Sequence, residues 1–357
     1  MKTALIGCGR IGFLLEKDPL RYKPCTHYGG ARSAGLRIHG ACDINRGRLD
    51  AFSEMAGIPA DRRFADPSRL LRELRPELVI IATWTESHDR IAVDAARNGA
   101  RVIVLEKPMA SSLSRCRKIL DECRKNGAAV IINHERRYDN RYRSVKEIIT
   151  GGGIGEIRTV HASILTGGHR GPSRVESGGG PLLHDGTHLV DMVRFLLGDI
   201  VAVEGRFQRR GRTRGFEDRA AAWLRTEGGI DVFLEAGGNR NYFLFELSIS
   251  GTEGAIVIGN GYEKLFRGRA SRLYTGFRDL AETRFPSYKK NNCFRDLYRE
   301  ARRALNGAGS VASGGMDGYK ALEVIHAVYL SSHRRGKTIE LPINPRSINL
   351  KKIFSID

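Results

Sequence analysis

Through its first 134 residues the chain alternates short apolar runs with helix-forming stretches, a pattern that few architectures accommodate. The runs are Thr3–Ile6, Leu36–Cys42, Leu78–Thr83, Arg101–Leu105 and Ala129–Asn133. Each is almost continuously apolar rather than alternating, which suits strands covered on both faces, as in a parallel sheet. The stretches between them read as helices. Ser87–Asn98 brings Ile91, Val93, Ala95 and Ala96 toward one face before Gly99 offers a stop. Ser112 or Ser114 can cap the next helix, which runs through Ile119, Leu120 and Cys123 to Gly127. Strand–helix alternation of this length predicts βαβ units with right-handed crossovers.

The character changes after His134. A helix near Tyr142–Thr150 ends at Gly151-Gly152-Gly153, and β-type runs follow at Ile157–Leu165, Ile200–Gln208, Ala220–Arg225, Ile230–Glu235, Phe243–Ser250 and Ala255–Ile258. Short turns such as Glu227-Gly228-Gly229 join several of them, which predicts antiparallel pairing. One helix, roughly Pro181–Leu197, interrupts the series, and helices near Phe294–Leu305 and Asp317–Arg334 close the chain. The last carries an apolar stripe (Ala321, Leu322, Val324, Ile325, Val328, Tyr329) that reads as core packing. A chain of 357 residues holds about two domains. The expectation is an α/β domain with a parallel sheet over 1–134, then an α+β domain over 135–357 with a largely antiparallel open sheet. Its C-terminal helix is able to pack back on the first domain.

Gly7-Cys8-Gly9-Arg10-Ile11-Gly12 fits G-x-G-x-x-G at the end of the first strand, where the motif of a Rossmann domain belongs, and is expected to open a helix. Its first glycine permits a tight turn, the second lets a pyrophosphate approach the backbone, and the third allows close helix–strand packing. Helix N–H groups would then face the phosphates. Asp43, at the end of Gly40-Ala41-Cys42-Asp43, would accept hydrogen bonds from ribose hydroxyls and repel a 2′-phosphate. It lies further from Gly12 than the usual spacing of about 20 residues, so Asp18–Gly30 reads as an inserted loop. NAD is therefore the expected cofactor. Arg46 and Arg48 stand near enough in sequence to pair a 2′-phosphate, which keeps NADP as the alternative.

The N-terminus shows no signal-peptide succession, and no run of about 18 apolar residues is present, so neither secretion nor a membrane span is expected. The cysteines Cys8, Cys25, Cys42, Cys116, Cys123 and Cys293 form no CxxC pair and read as small buried hydrophobes in a reducing compartment, the cytoplasm. The net charge of +19 admits a nucleic-acid partner or an anionic substrate. The densest basic stretch is Arg206, Arg209, Arg210, Arg212 and Arg214; only Phe207 interleaves with it, and no zinc-finger, RNP or basic-zipper pattern accompanies it. A solvated hairpin or subunit contact is its plain reading, an anion or phosphate role the alternative, and nucleic acid is not the expected partner.

The fourth strand ends in Glu106-Lys107-Pro108. With the glycine motif, this resembles the Gfo/Idh/MocA family, the glucose–fructose oxidoreductase and inositol dehydrogenase group, and the resemblance runs over essentially the whole chain. Ala82-Thr83-Trp84-Thr85-Glu86-Ser87-His88 is similar to the family's A-T-P-x-x-x-H loop, with Trp84 in place of the proline. Arg137-Tyr138 matches an Arg-aromatic pair after the fifth strand. Gly178-Gly179-Gly180 followed by Gly186, His188 and Asp191 resembles the glycine-led catalytic helix, and Asp317-Gly318 with Ala321–Ile325 the last helix. The resemblance implies a nicotinamide-dependent oxidoreductase acting on the CH–OH group of a sugar, cyclitol or sugar derivative. It implies a cofactor site from Gly7, Gly9, Arg10, Ile11, Gly12, Asp43, Arg48, Thr83, Trp84, His88, Glu106 and Lys107.

The resemblance places Lys107 beside the nicotinamide and the substrate hydroxyl, where an ammonium can hold a developing alkoxide. The family helix usually carries D-x-x-x-H. Here His188 takes the histidine position, His184 the aspartate position, and Asp185 follows one residue later. A histidine suits removal of the hydroxyl proton, since its pKa lies near neutrality. On an ideal helix His184 and His188 share one face, whereas Asp185 points about 100° away and replaces the missing carboxylate only if the first turn is distorted. The H-x-x-x-H spacing also fits a zinc pair, but no glutamate intervenes as in H-E-x-x-H and no third ligand is evident, so no metal is expected. Arg137, Tyr138, His169, Arg170 and Asp185 are the candidates for holding substrate. Two readings compete: an NAD-dependent, redox-neutral glycosidase of the same family, and a non-catalytic dinucleotide-binding sensor, which loss of the lysine or histidine would mark. A nucleotide-linked or carboxylated sugar would give the excess arginine a purpose. The outer face of the second domain's sheet needs cover, so a homodimer or homotetramer is expected.

Overall fold

A computed structural model of the protein describes residues 1–167, 179–209, 216–307 and 309–354. The chain divides into two compact units, Met1–Asp139 with Asn291–Tyr319, and Asn140–Lys290 with Lys320–Asp357.

The first unit is a doubly wound α/β layer. Its strands are β1 (Thr3–Ile6), β2 (Gly40–Cys42), β3 (Arg63–Phe64), β4 (Leu78–Ile81), β5 (Val102–Leu105) and β6 (Ala129–Ile132). They pair in the order β3-β2-β1-β4-β5-β6, every neighbour parallel. Helices α1 (His27–Ser33), α2 (Arg46–Ala56), α3 (Pro67–Leu74), α4 (His88–Arg97) and α5 (Leu113–Lys125) connect them. All four residues of β4 and of β5 are inaccessible to solvent, which is why these runs carry no polar alternation. The strand expected from Leu36 begins only at Gly40; Leu36 and Ile38 are still buried, as an irregular lead-in. The two-residue β3 is too short to leave a sequence pattern. The strand order reverses between β1 and β4, so the loops after these two strands flank the crevice where open α/β sheets take their ligands.

The second unit starts with α6 (Asn140–Thr150) and β7 (Ile157–Leu165), then α7 (Pro181–His184) and α8 (Gly186–Leu197). Strands β8 (Ile200–Gln208), β9 (Arg219–Thr226), β10 (Asp231–Gly237), β11 (Leu244–Gly251), β12 (Gly254–Gly259), β13 (Tyr262–Ala270) and β14 (Arg278–Thr283) follow. The chain then adds α9 (Cys293–Leu305) to the first unit, and α10 (Gly315–His333), whose first residues cluster with the first unit and the remainder with the second. It ends with β15 (Ile339–Glu340) and α11 (Leu350–Phe354) in the second. The sheet runs β14-β13-β12-β11-β7-β10-β9-β8-β15. It is antiparallel except where β10 lies parallel to β7, a long-range pairing that no turn announces. One face is apolar: Val160, Ala162 and Ile164 of β7 align with Val232, Leu234 and Ala236 of β10 and Phe245, Leu247 and Ile249 of β11. The opposite face carries His161 stacked on Phe233, with Ser163, Trp223 and Glu235, around a shallow concavity of about 470 Å³. Among the described residues no helix is long and apolar enough to cross a membrane.

Of the two serines that precede α5, Ser112 is the N-cap, its side chain accepting from Arg115 N–H at 3.4 Å. Ser112→Ala should destabilise the protein by about 1 kcal/mol in urea unfolding, and Ser114→Ala by only a few tenths, roughly the spread between a cap and a surface position.

Candidate functional site

The glycine loop is held by close contact at its two ends and open in the middle. Gly7 has φ +100°, and a Cβ there would lie 2.4 Å from the Ala82 carbonyl oxygen. A Cβ on Gly12 would lie 2.2 Å from the Gly7 oxygen. Above Gly9, by contrast, the nearest group is the Arg48 guanidinium, 3.8 Å from where a Cβ would be. That space over bare backbone is what a pyrophosphate requires. Arg10 is exposed and Ile11 half-buried beside it.

The motif does not open a regular helix. Phe13 and Leu14 N–H both donate to the Gly9 carbonyl, and a single 3₁₀ turn, Leu14–Lys17, follows. The chain then makes an excursion before α1 starts at His27, capped by Thr26. The first amides of α1 donate back to the motif: His27 to the Ile11 carbonyl and Tyr28 to Gly12, each at 3.0 Å. The helical path thus resumes across a looped-out segment. Its anchor is Glu16, which accepts from Cys25 N–H and the Thr26 hydroxyl. The insertion expected over Asp18–Gly30 therefore lies earlier, and Gly29 and Gly30 belong to α1.

Asp43 closes the loop from β2. Its Oδ2 accepts from Cys8 N–H at 2.8 Å and its Oδ1 from Asn45 N–H at 2.7 Å, so the carboxylate is oriented by backbone at the rim of the cradle. Across the strand-order reversal, Thr83 accepts from the Ser87 hydroxyl, and Trp84 stands exposed where the family usually has proline. His88 is fully buried and bridges the Thr83 and Pro108 carbonyls through its two ring nitrogens. Burial lowers its pKa, so the neutral ring donates to one carbonyl at a time. It therefore ties two loops together and does not face the cleft.

Glu106 is likewise internal. It is 6 % exposed, with Oε1 accepting from His27 Nε2 at 2.9 Å and from Asn133 Nδ2 at 2.6 Å, while Oε2 accepts from Lys107 N–H. His27 Nδ1 meets the Tyr298 hydroxyl at 2.6 Å. Burial alone would raise the Glu106 pKa. The His27 hydrogen bond and charge, then Lys107 and Asn133, outweigh it and bring the carboxyl down to about 2. The Glu106 side chain, expected at the cofactor site, is engaged in this buried network, which fixes the backbone carrying the half-buried Lys107. His27, Asn133 and Tyr298 escaped the sequence reading, because a histidine in an insertion and a tyrosine on an amphipathic helix leave no spacing signal.

Arg137 and Tyr138 are placed inside the first unit. The Arg137 guanidinium donates to the Ala312 carbonyl and pairs with Asp317 at 3.0 Å. Tyr138, 1 % exposed, is part of the hydrophobic core, and its hydroxyl donates to the buried Glu300. Both clamp the segment that returns to this unit, and Tyr138 is not open to substrate.

In the second unit the helix expected over Pro181–Leu197 is broken. Asp185 ends α7 and begins α8, with φ −99° and ψ −36°, and His188 N–H donates to the Asp185 carbonyl in a 3₁₀ step. The first turn is thus distorted, and Asp185 Oδ1 lies 2.9 Å from His184 Nδ1. His184, Asp185 and His188 are all partly accessible. His169 and Arg170 lie outside the described residues.

Glu106 supplies a pH signature. A carboxyl held below its ordinary value of 4.5 contributes stability that is present above 4.5 and lost as pH falls through about 2. Glu106→Gln should lower stability at pH 7 by about 3–5 kcal/mol, as expected when one partner leaves a buried pair. Urea unfolding at successive pH values should show that deficit shrinking below pH 4.5.

Comparison with known proteins places this geometry. A model described as "Oxidoreductase family, NAD-binding Rossmann fold" (GFO_IDH_MocA) matches residues 1–134, and one described as "GFO/IDH/MocA C-terminal domain" matches residues 142–257; together they span well over half of the chain. An inositol 2-dehydrogenase from Salmonella typhimurium is 27% identical over 97% of this chain and 98% of its own. A D-apiose dehydrogenase from Rhizobium rhizogenes is 24% identical over 96% and 97%. Among solved structures, the WlbA dehydrogenase from Bordetella pertussis, in complex with NADH and UDP-GlcNAcA, superposes with a TM-score of 0.78 at 22% identity, over 96% of this chain and 99% of that one.

Proposed function

Because the chain belongs to the GFO/IDH/MocA family of NAD-binding oxidoreductases, we propose that it moves a hydride between NAD and a secondary alcohol or ketone of a sugar, cyclitol or sugar derivative. The observation that carries this reading is the open space above Gly9, bordered by the oriented carboxylate of Asp43 and the guanidinium of Arg48. Gly7, Gly9 and Gly12 would hold the pyrophosphate, with Asp43 on the ribose. The Asp43 side chain at that rim favours NAD, while Arg48 leaves NADP within reach. Relatives named for inositol and apiose support a polyhydroxylated substrate.

NAD held by the glycine loop and Asp43 would supply the acceptor for the hydride of the carbinol carbon. His188 takes the hydroxyl proton in the same oxidation, and the Lys107 ammonium holds the oxygen while negative charge develops on it. The anchored Glu106 side chain sets the backbone from which Lys107 projects. His184, with Asp185 on its Nδ1, takes the place of the family's helix carboxylate. We infer that the His184 imidazole, oriented by Asp185, meets a substrate hydroxyl or biases the proton on His188. Asp185 thus acts through His184. Free cysteines fit a reducing compartment such as the cytoplasm, and a homodimer or homotetramer would cover the outer face of the second unit's sheet.

The test is NADH formation on a panel of inositols, aldoses and sugar acids. Lys107→Ala should lower kcat by roughly 10²–10³-fold while leaving the NADH dissociation constant within a fewfold of wild type; unchanged turnover would remove Lys107 from the mechanism. Turnover of a glycoside without NADH accumulating would favour the redox-neutral alternative. The cofactor site has its own probe, because the two tryptophans fall in different units, Trp84 in the first and Trp223 in the second. NADH should quench the Trp84 emission, and Trp84→Phe should remove most of that quenching without abolishing binding in calorimetry.

A further inference from the structure

The mechanism does not use Glu217, a carboxyl with 2 % exposure that sits two residues before β9. Its Oε1 accepts from Leu182 N–H at 2.9 Å and from the Tyr329 hydroxyl at 3.0 Å. The Leu183 backbone in turn bonds that hydroxyl. The first free amides of α7 therefore end on Glu217 and on the tyrosine that Glu217 holds. Contact is tight enough that a Cβ on Gly180 would lie 2.3 Å from the carboxylate. Glu217 Oε2 is buried with no hydrogen-bond partner among the described residues. Directly after these amides come His184 and Asp185, then His188.

We propose that Glu217 is a positioning residue: by holding the first turn of α7 it sets the orientation of the His184–Asp185–His188 segment for proton transfer. This rests on the reading of His188 as the base. The physical reason is that α7 is a single turn, broken from α8 at Asp185, so its direction is not fixed by a long helical ladder. Beside the buried Leu182 and Leu183, a buried carboxyl accepting two donors gives it a directional tether.

The tether is sensitive to protons. Burial pushes Glu217 up to about 7, against the opposing pull of the Leu182 amide and the Tyr329 hydroxyl, and Asp218 adds a like charge. The groups acting on it are thus Asp218 from its own segment, the Tyr329 phenol from α10, itself pushed up by burial, and backbone amide from α7. Ionised Glu217 grips the amide more strongly than the neutral acid does, so turnover should rise as it loses its proton. The stability effect has the opposite sign. A carboxyl raised above 4.5 contributes stability that is present below 4.5 and lost as pH climbs through about 7.

The experiment compares wild type, Glu217→Gln, Tyr329→Phe and His188→Ala in kcat against pH, with backbone hydrogen exchange of the peptide spanning 180–190 as a readout independent of turnover. In wild type the Glu217 ionisation, superposed on that of the base, should steepen the acid limb of log kcat beyond a slope of one and add about one decade to its fall, and Glu217→Gln should lose both. The Gln variant should turn over roughly tenfold more slowly at pH 8, the fold-change of one net hydrogen bond, exchange faster over 180–190, and keep its KM for NAD. Tyr329→Phe, which leaves the carboxyl in place, should move the Glu217 ionisation to higher pH. Wild-type kcat and slope in Glu217→Gln, with His188→Ala inactive, would overturn the positioning role and leave the base assignment standing. An active His188→Ala would remove the base assignment, and the positioning role with it. If Glu217→Gln fails to fold, an unmoved profile in Tyr329→Phe would overturn the proposal by itself.

Discussion

The buried carboxylate of Glu106 is the interaction on which the first unit's candidate site depends. It joins the end of β5 to His27 of α1 and Asn133 after β6, and through His27 to Tyr298 of α9. A carboxylate removed from water is tolerated only when its lone pairs are met by donors and a compensating charge, and here they are. The same requirement explains why residues 291–305 cluster with the N-terminal layer: Tyr298 closes the network, and Tyr138 repeats the arrangement with Glu300. Lys107 projects from backbone fixed in this way, which is how a flexible side chain comes to start from a defined point.

A second buried carboxyl, Glu217, shows the opposite electrostatic outcome. Both are shielded from solvent, so burial pushes both toward the neutral form. Glu106 has an imidazole and a lysine close by and is brought down to about 2. Glu217 has only neutral donors and a neighbouring Asp218, and rises to about 7. The difference lies in the charge of the partners rather than in the depth of burial. One carboxylate is suited to permanent scaffolding. The other is poised to change state in the pH range where a histidine works.

The glycine loop combines packing and function in a single turn. Gly7 and Gly12 are dictated by the nearness of Ala82 and of Gly7 itself, whereas the space above Gly9 is open but for the Arg48 guanidinium and leaves room for a pyrophosphate. The excursion after Gly12 is accommodated because the amides of His27 and Tyr28 return to the carbonyls of Ile11 and Gly12, so the helix dipole still bears on the loop after the detour.

The parallel sheet, the glycine cradle, Asp43 and the family were legible in the sequence because each rests on local order: strand-length apolar runs, a six-residue motif, a residue at a strand end. Six of the nine strands of the second sheet, β7 to β12, were legible for the same reason, whereas the largely exposed β13 and β14 and the two-residue β15 were not. Long-range matters had no such trace. Sequence alone does not show that β10 lies parallel to β7, that Arg137 and Tyr138 turn inward to Asp317 and Glu300, or that the Pro181–Leu197 helix breaks at Asp185. Nor does it show that Glu106 faces His27 rather than the cleft. Which polar side chain is buried, and against what, depends on segments far apart in the chain meeting in space. Spacing along a sequence reports the period of one helix or strand and carries no record of the partner that another segment brings to it.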